Sequence, residues 1–185
     1  MVNSALMEKA WKKAERSVFR LEAIPVYKVP EDLILFEKWK QGRLELDARS
    51  KEWLKNLKKT SQRGVKIQRV RVVPLPLSDY IRYEIDFWKN SVKCGEEILS
   101  LKSKDYGKII KNLDFTPKDF WMFDDKALII FLYDSRGDFV REESIPNKAT
   151  IKRYAELKRK LLERAVQMDK FLKGRHNIAF TSSSC

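Results

Sequence analysis

Histidine is almost missing from the 185-residue chain. The single histidine is His176, close to the C-terminal end. A histidine-containing catalytic triad, a two-histidine metal site and a histidine general base inside the folded part are therefore unsupported. The sequence also contains neither GxGxxG nor GxxxxGK[ST], so the usual glycine-rich phosphate-binding loops are absent. Two carboxylate pairs, at positions 96–97 and 124–125, are explained by a solvated strand end and a turn. We expect neither a metal ion nor a cofactor.

Cysteines are few, and long apolar runs are missing. Cys94 and Cys185 show no CxxC spacing, and we expect two free thiols rather than a disulfide. No apolar run approaches the roughly 20 residues of a transmembrane helix, and the N-terminal segment lacks the apolar region of a signal peptide. These absences predict a soluble, cytoplasmic protein with no membrane partner.

Acidic residues are outnumbered, with 26 Asp and Glu against 39 Lys and Arg, which leaves a net charge of +13. Such an excess favours polyanions as partners, because Lys and Arg that contact phosphates release counterions. A lysine-rich surface without any ligand would give the same excess, so both interpretations remain open. The hydrophobic share of 43% is enough to form the core of one domain.

Helical and strand patterns alternate along the chain. They predict a single α/β domain with a mixed β-sheet flanked by helices and closed by a long C-terminal helix. Three adjacent strand patterns near position 130 predict an antiparallel meander. We divide the chain into an α/β core at 1–148, a long basic amphipathic helix at 149–173 and a flexible tail at 174–185. The predicted strands are 17–29, 65–73, 97–101, 119–124, 127–134 and 138–144.

The segment 149–173 contains no helix breaker and predicts one continuous helix. The residues at helical spacing form its apolar face: Tyr154, Leu161, Ala165, Met168 and Leu172, with Leu157 and Leu162 widening the stripe. We expect this helix either to pack on the core or to form a homodimer. The other face of the helix is basic, which predicts a contact with nucleic acid. The basic residues are Lys152, Arg153, Lys158, Arg159, Lys160 and Arg164.

Polar side chains are most concentrated where the strand at 65–73 leads into a helix that Ser78 or Asp79 can cap. Strand alternation places Arg69 and Arg71 on the same face. Two arginine forks beside a helix N-terminus suit a phosphate or carboxylate, whereas the structural alternative is that they neutralise Asp79 or Glu84. The candidate anion- or ligand-binding residues are Arg69, Arg71, Ser78, Asp79, Tyr80, Arg82, Glu84, Asp119 and Trp121.

The segment 117–125 is rich in aromatic residues. Alternation puts Asp119 and Trp121 on one face and Phe120 and Met122 on the other. Aromatic residues on both faces are typical of a strand that is buried on both sides. The alternative is that Trp121, beside Asp119, lines a pocket.

Several motifs together resemble an uncharacterised bacterial family of unknown function. They are FRLE at 19–22, Tyr27, FxxW at 36–39, RVRVVxxPLSDYxRxE at 69–84, Asn90 with the CGE turn at 94–96 in place of the usual AGE, and DFWxFD at 119–124. The resemblance covers roughly 19–144. Because genes of this family often lie beside small helix-turn-helix regulators, it implies such a regulator as a partner.

A weaker resemblance is to a degenerate half of the phospholipase D superfamily, whose chemistry needs an HxK motif with a histidine nucleophile. This sequence has no such motif, so the resemblance implies that any catalysis of that kind has been lost. We therefore expect a non-enzymatic regulatory or interaction module associated with transcription regulation, which contacts DNA through its basic surface. The alternative is a phosphate- or nucleotide-binding sensor, or a phosphodiesterase-like enzyme, that uses the arginine cluster.

Overall fold

The computed structural model describes residues 4–173, and the strands of this range form one mixed sheet. The strands are β1 (Ser17–Glu22), β2 (Lys66–Val73), β3 (Glu96–Lys102), β4 (Asp119–Phe123), β5 (Ala127–Tyr133), β6 (Phe139–Ile145) and β7 (Val166–Gln167). The helices are α1 (Ala5–Lys13), α2 (Pro30–Lys40), α3 (Ala48–Gln62), α4 (Asp79–Lys93), α5 (Ser103–Lys111), α6 (Lys148–Arg164) and α7 (Met168–Lys173).

The strand order is β6-β5-β4-β1-β2-β3-β7. β1, β2 and β3 run parallel to one another, as expected for strands joined by helical crossovers. β4, β5 and β6 form the antiparallel meander that the sequence predicts, and β4 joins the parallel part by pairing with β1. The predicted single α/β domain with a mixed sheet and flanking helices is confirmed.

One face of the sheet is apolar. Alternation places Phe19 and Leu21 of β1 beside Val70 and Val72 of β2 on this face. Helices α5 and α6 cover it, and the buried residues that they contribute are Ile109, Tyr154, Leu157 and Leu161. The apolar stripe of α6 therefore packs on the sheet of its own chain.

The opposite face carries two separate apolar clusters. At one end Val18 and Ile67 pack against α1 and α3, with Trp53 and Leu57 in the same cluster. At the other end Val73 and Ile98 pack against buried residues of α4 and α7. Between these clusters the strands carry charged side chains, and this part of the sheet forms the candidate site.

The predicted continuous helix at 149–173 is wrong, because helix α6 ends at Arg164. Ala165 has extended backbone angles (φ −74°, ψ 145°), and the two residues of β7 then pair with Ser100 and Leu99 on the edge of β3. An unpaired edge strand exposes backbone N–H and C=O groups, so this pairing offsets the helical hydrogen bonds that are missing at the break. Helix α7 then buries Met168, Phe171 and Leu172. The predicted tail at 174–185, with His176 and Cys185, lies outside the described residues.

Candidate functional site

The start of α4 is held by Ser78, whose Oγ accepts a hydrogen bond from the backbone N–H of Ile81 at 3.3 Å. This confirms Ser78 as the cap. Asp79 and Arg82 point toward solvent, with side chains 72% and 47% exposed, and approach each other only to 4.0 Å. These three candidate residues therefore lie at the protein surface, apart from the two arginines of β2.

Arg69 lies in the middle of the charged face and is held by two carboxylates. Its Nε donates to Glu96 Oε1 at 2.8 Å, and its Nη1 donates to Glu22 Oε2 at 2.9 Å. All three side chains are at most 5% exposed. The parallel register explains the arrangement, because it sets Arg69 beside Arg20 of β1 and Ile98 of β3, with the acidic residues two positions away.

Arg71 is fully buried and is held by α4 and by the chain that follows β1. Its Nε and Nη2 contact Glu84 Oε2 at 3.0 and 2.9 Å. Its Nη1 donates to the carbonyl oxygen of Ile24, and its Nη2 donates to that of Pro25 at 3.1 Å. Both arginine forks thus bind groups of the protein itself, and an anion at either position would have to displace a carboxylate.

Burial and these ion pairs shift the pKa values of the acidic groups in opposite directions. For Glu22, burial opposes ionisation, but Arg20, Arg69 and Arg71 outweigh it and lower its pKa to about 2. For Glu84, burial dominates over the attraction of Arg71 and raises the pKa to about 7. The two carboxyl groups therefore have different affinities for a proton within one network.

Asp119 forms a second buried pair, with Tyr27. The Tyr27 hydroxyl donates to Asp119 Oδ2, and the backbone N–H of Ala23 donates to Oδ1 at 3.0 Å. Burial raises the pKa of Asp119 to about 6, although both hydrogen bonds act against this shift. Asp119 thereby connects the start of β4 to the chain that follows β1.

A cavity of about 700 Å³ opens between the charged face of the sheet and helices α1, α3 and α4. Arg20, Glu22, Arg69 and Trp121 form its floor. The Arg20 guanidinium lies 4.9 Å from the centre of the Trp121 ring and 2.6 Å from a Glu22 carboxylate oxygen. The walls are largely aromatic and include Trp11, Trp53, Tyr80, Tyr83, Trp88 and Tyr133.

Several hydrogen-bonding groups in these walls have no partner within residues 4–173. Tyr80 and Tyr83 are 5% and 6% exposed, and neither hydroxyl makes a hydrogen bond to a described residue. The indole N–H of Trp53, on α3, is likewise buried without a partner. A ligand in the cavity would find donors that the protein itself does not use.

Only some of the predicted anion- or ligand-binding residues line the cavity. Arg69, Tyr80, Glu84 and Trp121 line it. Arg71 is buried behind its ion pair with Glu84, and Asp119 connects to the lining through Tyr27. Sequence reasoning missed Arg20 and Glu22, although they alternate with apolar residues in β1 as the arginines do in β2, and it missed residues supplied by α1 and α3.

The predicted nucleic-acid residues lie on α6, which packs on the opposite face of the sheet. Most of them are paired with acidic groups: Arg153 with Asp114, Lys158 with Asp125, Arg159 with Glu156 and Glu163, and Lys160 with Glu156. Lys158 is also largely covered, with a side chain 12% exposed. Lys152 and Arg164 are exposed and form no ion pair with a described residue.

Metal sites and membrane spans are both missing from residues 4–173. No group of three or more His, Cys, Asp or Glu side chains in this range could hold a metal ion. None of the helices described here is long and apolar enough to cross a membrane.

The chain forms a single α/β domain whose fold is similar to that of one solved phospholipase D family member. A phospholipase D family member, Nuc from Salmonella typhimurium, matches with a TM-score of 0.50 and 11% identity over 88% of each chain. At this identity the likeness shows the fold alone. TrmBL2, an archaeal chromatin protein whose structure shows a novel mode of DNA binding, matches at a TM-score of 0.45 and 11% identity, over 88% of this chain and 50% of its own. That TM-score is too low to support an argument.

The chain belongs to the family described as "Domain of unknown function (DUF6879)", whose model matches residues 5–173. This confirms the resemblance to an uncharacterised family and extends it beyond 19–144, through α6 to the end of α7. No curated protein matches the sequence.

Proposed function

We propose that this protein is a non-enzymatic regulatory module whose cavity binds a small molecule. The observation that carries the proposal is the cavity of about 700 Å³, with aromatic walls and a floor of paired charges. Small-molecule sites are typically concave, mostly apolar pockets of roughly 300–1,000 Å³ with a few polar groups that orient the ligand. The volume and the lining of this cavity fit that description.

The chemistry of the floor favours binding over turnover. Glu22, the carboxylate of the floor, is held by Arg20 and Arg69, and because its pKa is lowered to about 2 it is a weak base toward a substrate. The only histidine of the chain is His176, so the histidine nucleophile of phospholipase D chemistry has no counterpart in residues 4–173. A helix-turn-helix regulator, which the family resemblance implies, is the partner that we propose for transmitting the ligand signal.

Small aromatic fragments are expected to bind in the cavity, and obstructing it should weaken this binding. Asn56 is an exposed residue of α3 that lines the cavity, so Asn56→Trp would place an indole there. We expect at least about a tenfold loss of affinity, equivalent to about 1.4 kcal/mol. Saturation-transfer NMR with a fragment library, followed by titration of the fragments that bind, measures it.

Lys58→Trp is the matched control, because Lys58 is exposed on the same helix and does not line the cavity. It should bind the fragments as the parent protein does. Failure of every fragment to bind the parent, or equal losses in the two variants, would contradict the small-molecule proposal.

Contact with nucleic acid is the second candidate, favoured by exposed lysines without acidic partners. On α1 and α3, Lys9, Lys13, Lys51, Lys58 and Lys59 are exposed and make no ion pair with a described residue. The two helices are joined at this surface, since Arg63 donates to the carbonyl oxygens of Trp11, Lys12 and Ala14. We propose this lysine surface, in addition to the predicted residues on α6, as a binding surface for phosphates.

Duplex DNA is expected to be retained in a mobility-shift assay at about 50 mM salt and released as salt increases. The double variant Lys51→Glu with Lys58→Glu should weaken retention and reduce the salt slope by about one for each phosphate that the variant no longer binds. Lys152→Glu with Arg164→Glu, on α6, tests the surface predicted from the sequence. Absence of retention by the parent protein at about 50 mM salt would exclude direct DNA binding.

A homodimer through 149–173 stays a prediction. Because Tyr154, Leu157 and Leu161 of α6 are buried against the sheet, such a dimer would have to use other residues of this segment.

A further inference from the structure

The charged groups at the floor of the cavity and in its inner wall are paired with one another, whereas Lys59, at the exposed rim, makes no ion pair with a described residue. Four guanidinium groups meet four carboxyl groups in this region, in the pairs Arg20–Glu22, Arg69–Glu22, Arg69–Glu96, Arg71–Glu84 and Arg49–Asp32. A phosphate or an ammonium group brought into this network would lack a free partner of opposite charge. Since an unpaired buried charge is strongly unfavourable, the floor of the cavity selects against charged groups of a ligand.

The walls favour a flat molecule. Trp53 and Trp121 approach with ring centres 5.9 Å apart, and Tyr80 and Tyr83 lie 6.1 Å apart on α4. Aromatic side chains bind other rings through offset stacking and edge contacts, which stabilise a bound ring beyond the area that it buries. A cavity of about 700 Å³ is large enough for a fused ring with a sugar-sized substituent.

The hydrogen-bonding groups without partners indicate which polar atoms the ligand carries at the edge of its ring. The Trp53 indole N–H is buried without a partner within residues 4–173, and the Tyr80 and Tyr83 hydroxyls, on buried residues, make no hydrogen bond to a described residue. A buried donor without a partner is unfavourable, and a ligand with ring nitrogens or carbonyl oxygens would accept from the Trp53 N–H and from the two hydroxyls. Burial also raises the pKa of Tyr80 and of Tyr83, so both hydroxyls keep their protons and act as neutral donors.

We infer that the ligand is an uncharged, planar heteroaromatic molecule of the nucleobase or nucleoside class, held between the aromatic walls and hydrogen-bonded by Tyr80 and Tyr83. The inference rests on the proposed small-molecule function and names the class of ligand. It distinguishes this cavity from a phosphate site, because Arg69 and Arg71 hold carboxylates of the protein.

A comparison of nucleosides with their own 5′-monophosphates tests the inference. Adenosine, guanosine, cytidine and uridine, each with its monophosphate, are titrated by isothermal calorimetry. Tryptophan fluorescence gives a second readout, because four of the five tryptophans, all except Trp39, line the cavity. We expect at least one nucleoside to bind about tenfold or more tightly than its monophosphate.

The hydroxyl contacts are tested by Tyr80→Phe and Tyr83→Phe, each of which should weaken nucleoside binding by about tenfold. Tyr106→Phe is the matched control, because Tyr106 packs against the cluster on the opposite face of the sheet. If the monophosphates bind more tightly, or if aromatic fragments bind and nucleosides do not, the ligand class is wrong while the small-molecule function stands. If neither fragments nor nucleosides bind, the proposed function itself fails.

Discussion

Arg71→Met is expected to lower the free energy of unfolding by about 3–5 kcal/mol. The guanidinium of Arg71 is fully buried, and it binds the Glu84 carboxylate and the carbonyl oxygens of Ile24 and Pro25. Methionine has a similar length but no donor, so it would leave a buried carboxylate and two carbonyl groups without partners. Denaturant-induced unfolding at neutral pH, monitored by circular dichroism, measures the loss.

Arg82→Met is the matched control, because Arg82 is exposed on α4 and lies 4.0 Å from its nearest acidic partner. It should change the free energy of unfolding by less than about 0.5 kcal/mol. The double variant Arg71→Met with Glu84→Met should recover part of the loss, since it removes both charges together. Equal effects of Arg71→Met and Arg82→Met would contradict a stabilising role for the buried pair.

Strand alternation in the sequence was sufficient to place the two arginines of β2 on one face, and it identified Glu84 as one of two alternative structural partners. It was not sufficient to find the partners of Arg69. Glu96 and Glu22 are 27 and 47 residues away, and only the parallel register of three strands brings them together. Pairing between distant strands is a tertiary property, which local patterns do not contain.

In the C-terminal segment the local pattern predicts a continuous helix, but tertiary structure interrupts that helix. Leu161, Met168 and Leu172 keep helical spacing through the break at Ala165, and no Gly or Pro marks it. The extended residues exist because β3 would otherwise be an edge, and β7 occupies that edge. The sequence of a segment does not show whether an edge strand elsewhere in the fold is available to pair with it.

The aromatic strand β4 was predicted more fully. Phe120 and Met122 are buried in the apolar cluster and Trp121 in the cluster on the other face, which confirms a strand covered on both sides. Trp121 also lines the cavity, so the two alternatives for this residue are compatible. The cavity itself was not predictable, because its walls come from helices that are distant in sequence and that meet only in the folded chain.

Asp119 is expected to contribute about 3 kcal/mol to the free energy of unfolding at low pH and nothing at neutral pH. Asp119→Asn should abolish this pH-dependent contribution. Burial raises the pKa of Asp119 to about 6 in the folded state, compared with about 3.9 in an unfolded chain. The folded state therefore binds the proton more tightly. This contribution to stability is fully present below about pH 4 and is lost as the pH rises through about 6. A shift of about two pKa units corresponds to about 3 kcal/mol.

Asparagine cannot ionise, but it keeps an oxygen that can accept from Ala23 N–H or from Tyr27. The free energy of unfolding of the variant, relative to the parent, should therefore increase by about 3 kcal/mol between about pH 3 and about pH 7. Asp105→Asn is the control of opposite sign, because a hydrogen bond from Lys108 lowers the pKa of Asp105. A relative stability of Asp119→Asn that stays constant over this range would mean that Asp119 ionises as readily in the folded chain as in the unfolded one. The carboxylate would then be stabilised by Tyr27 and Ala23 as strongly as by water.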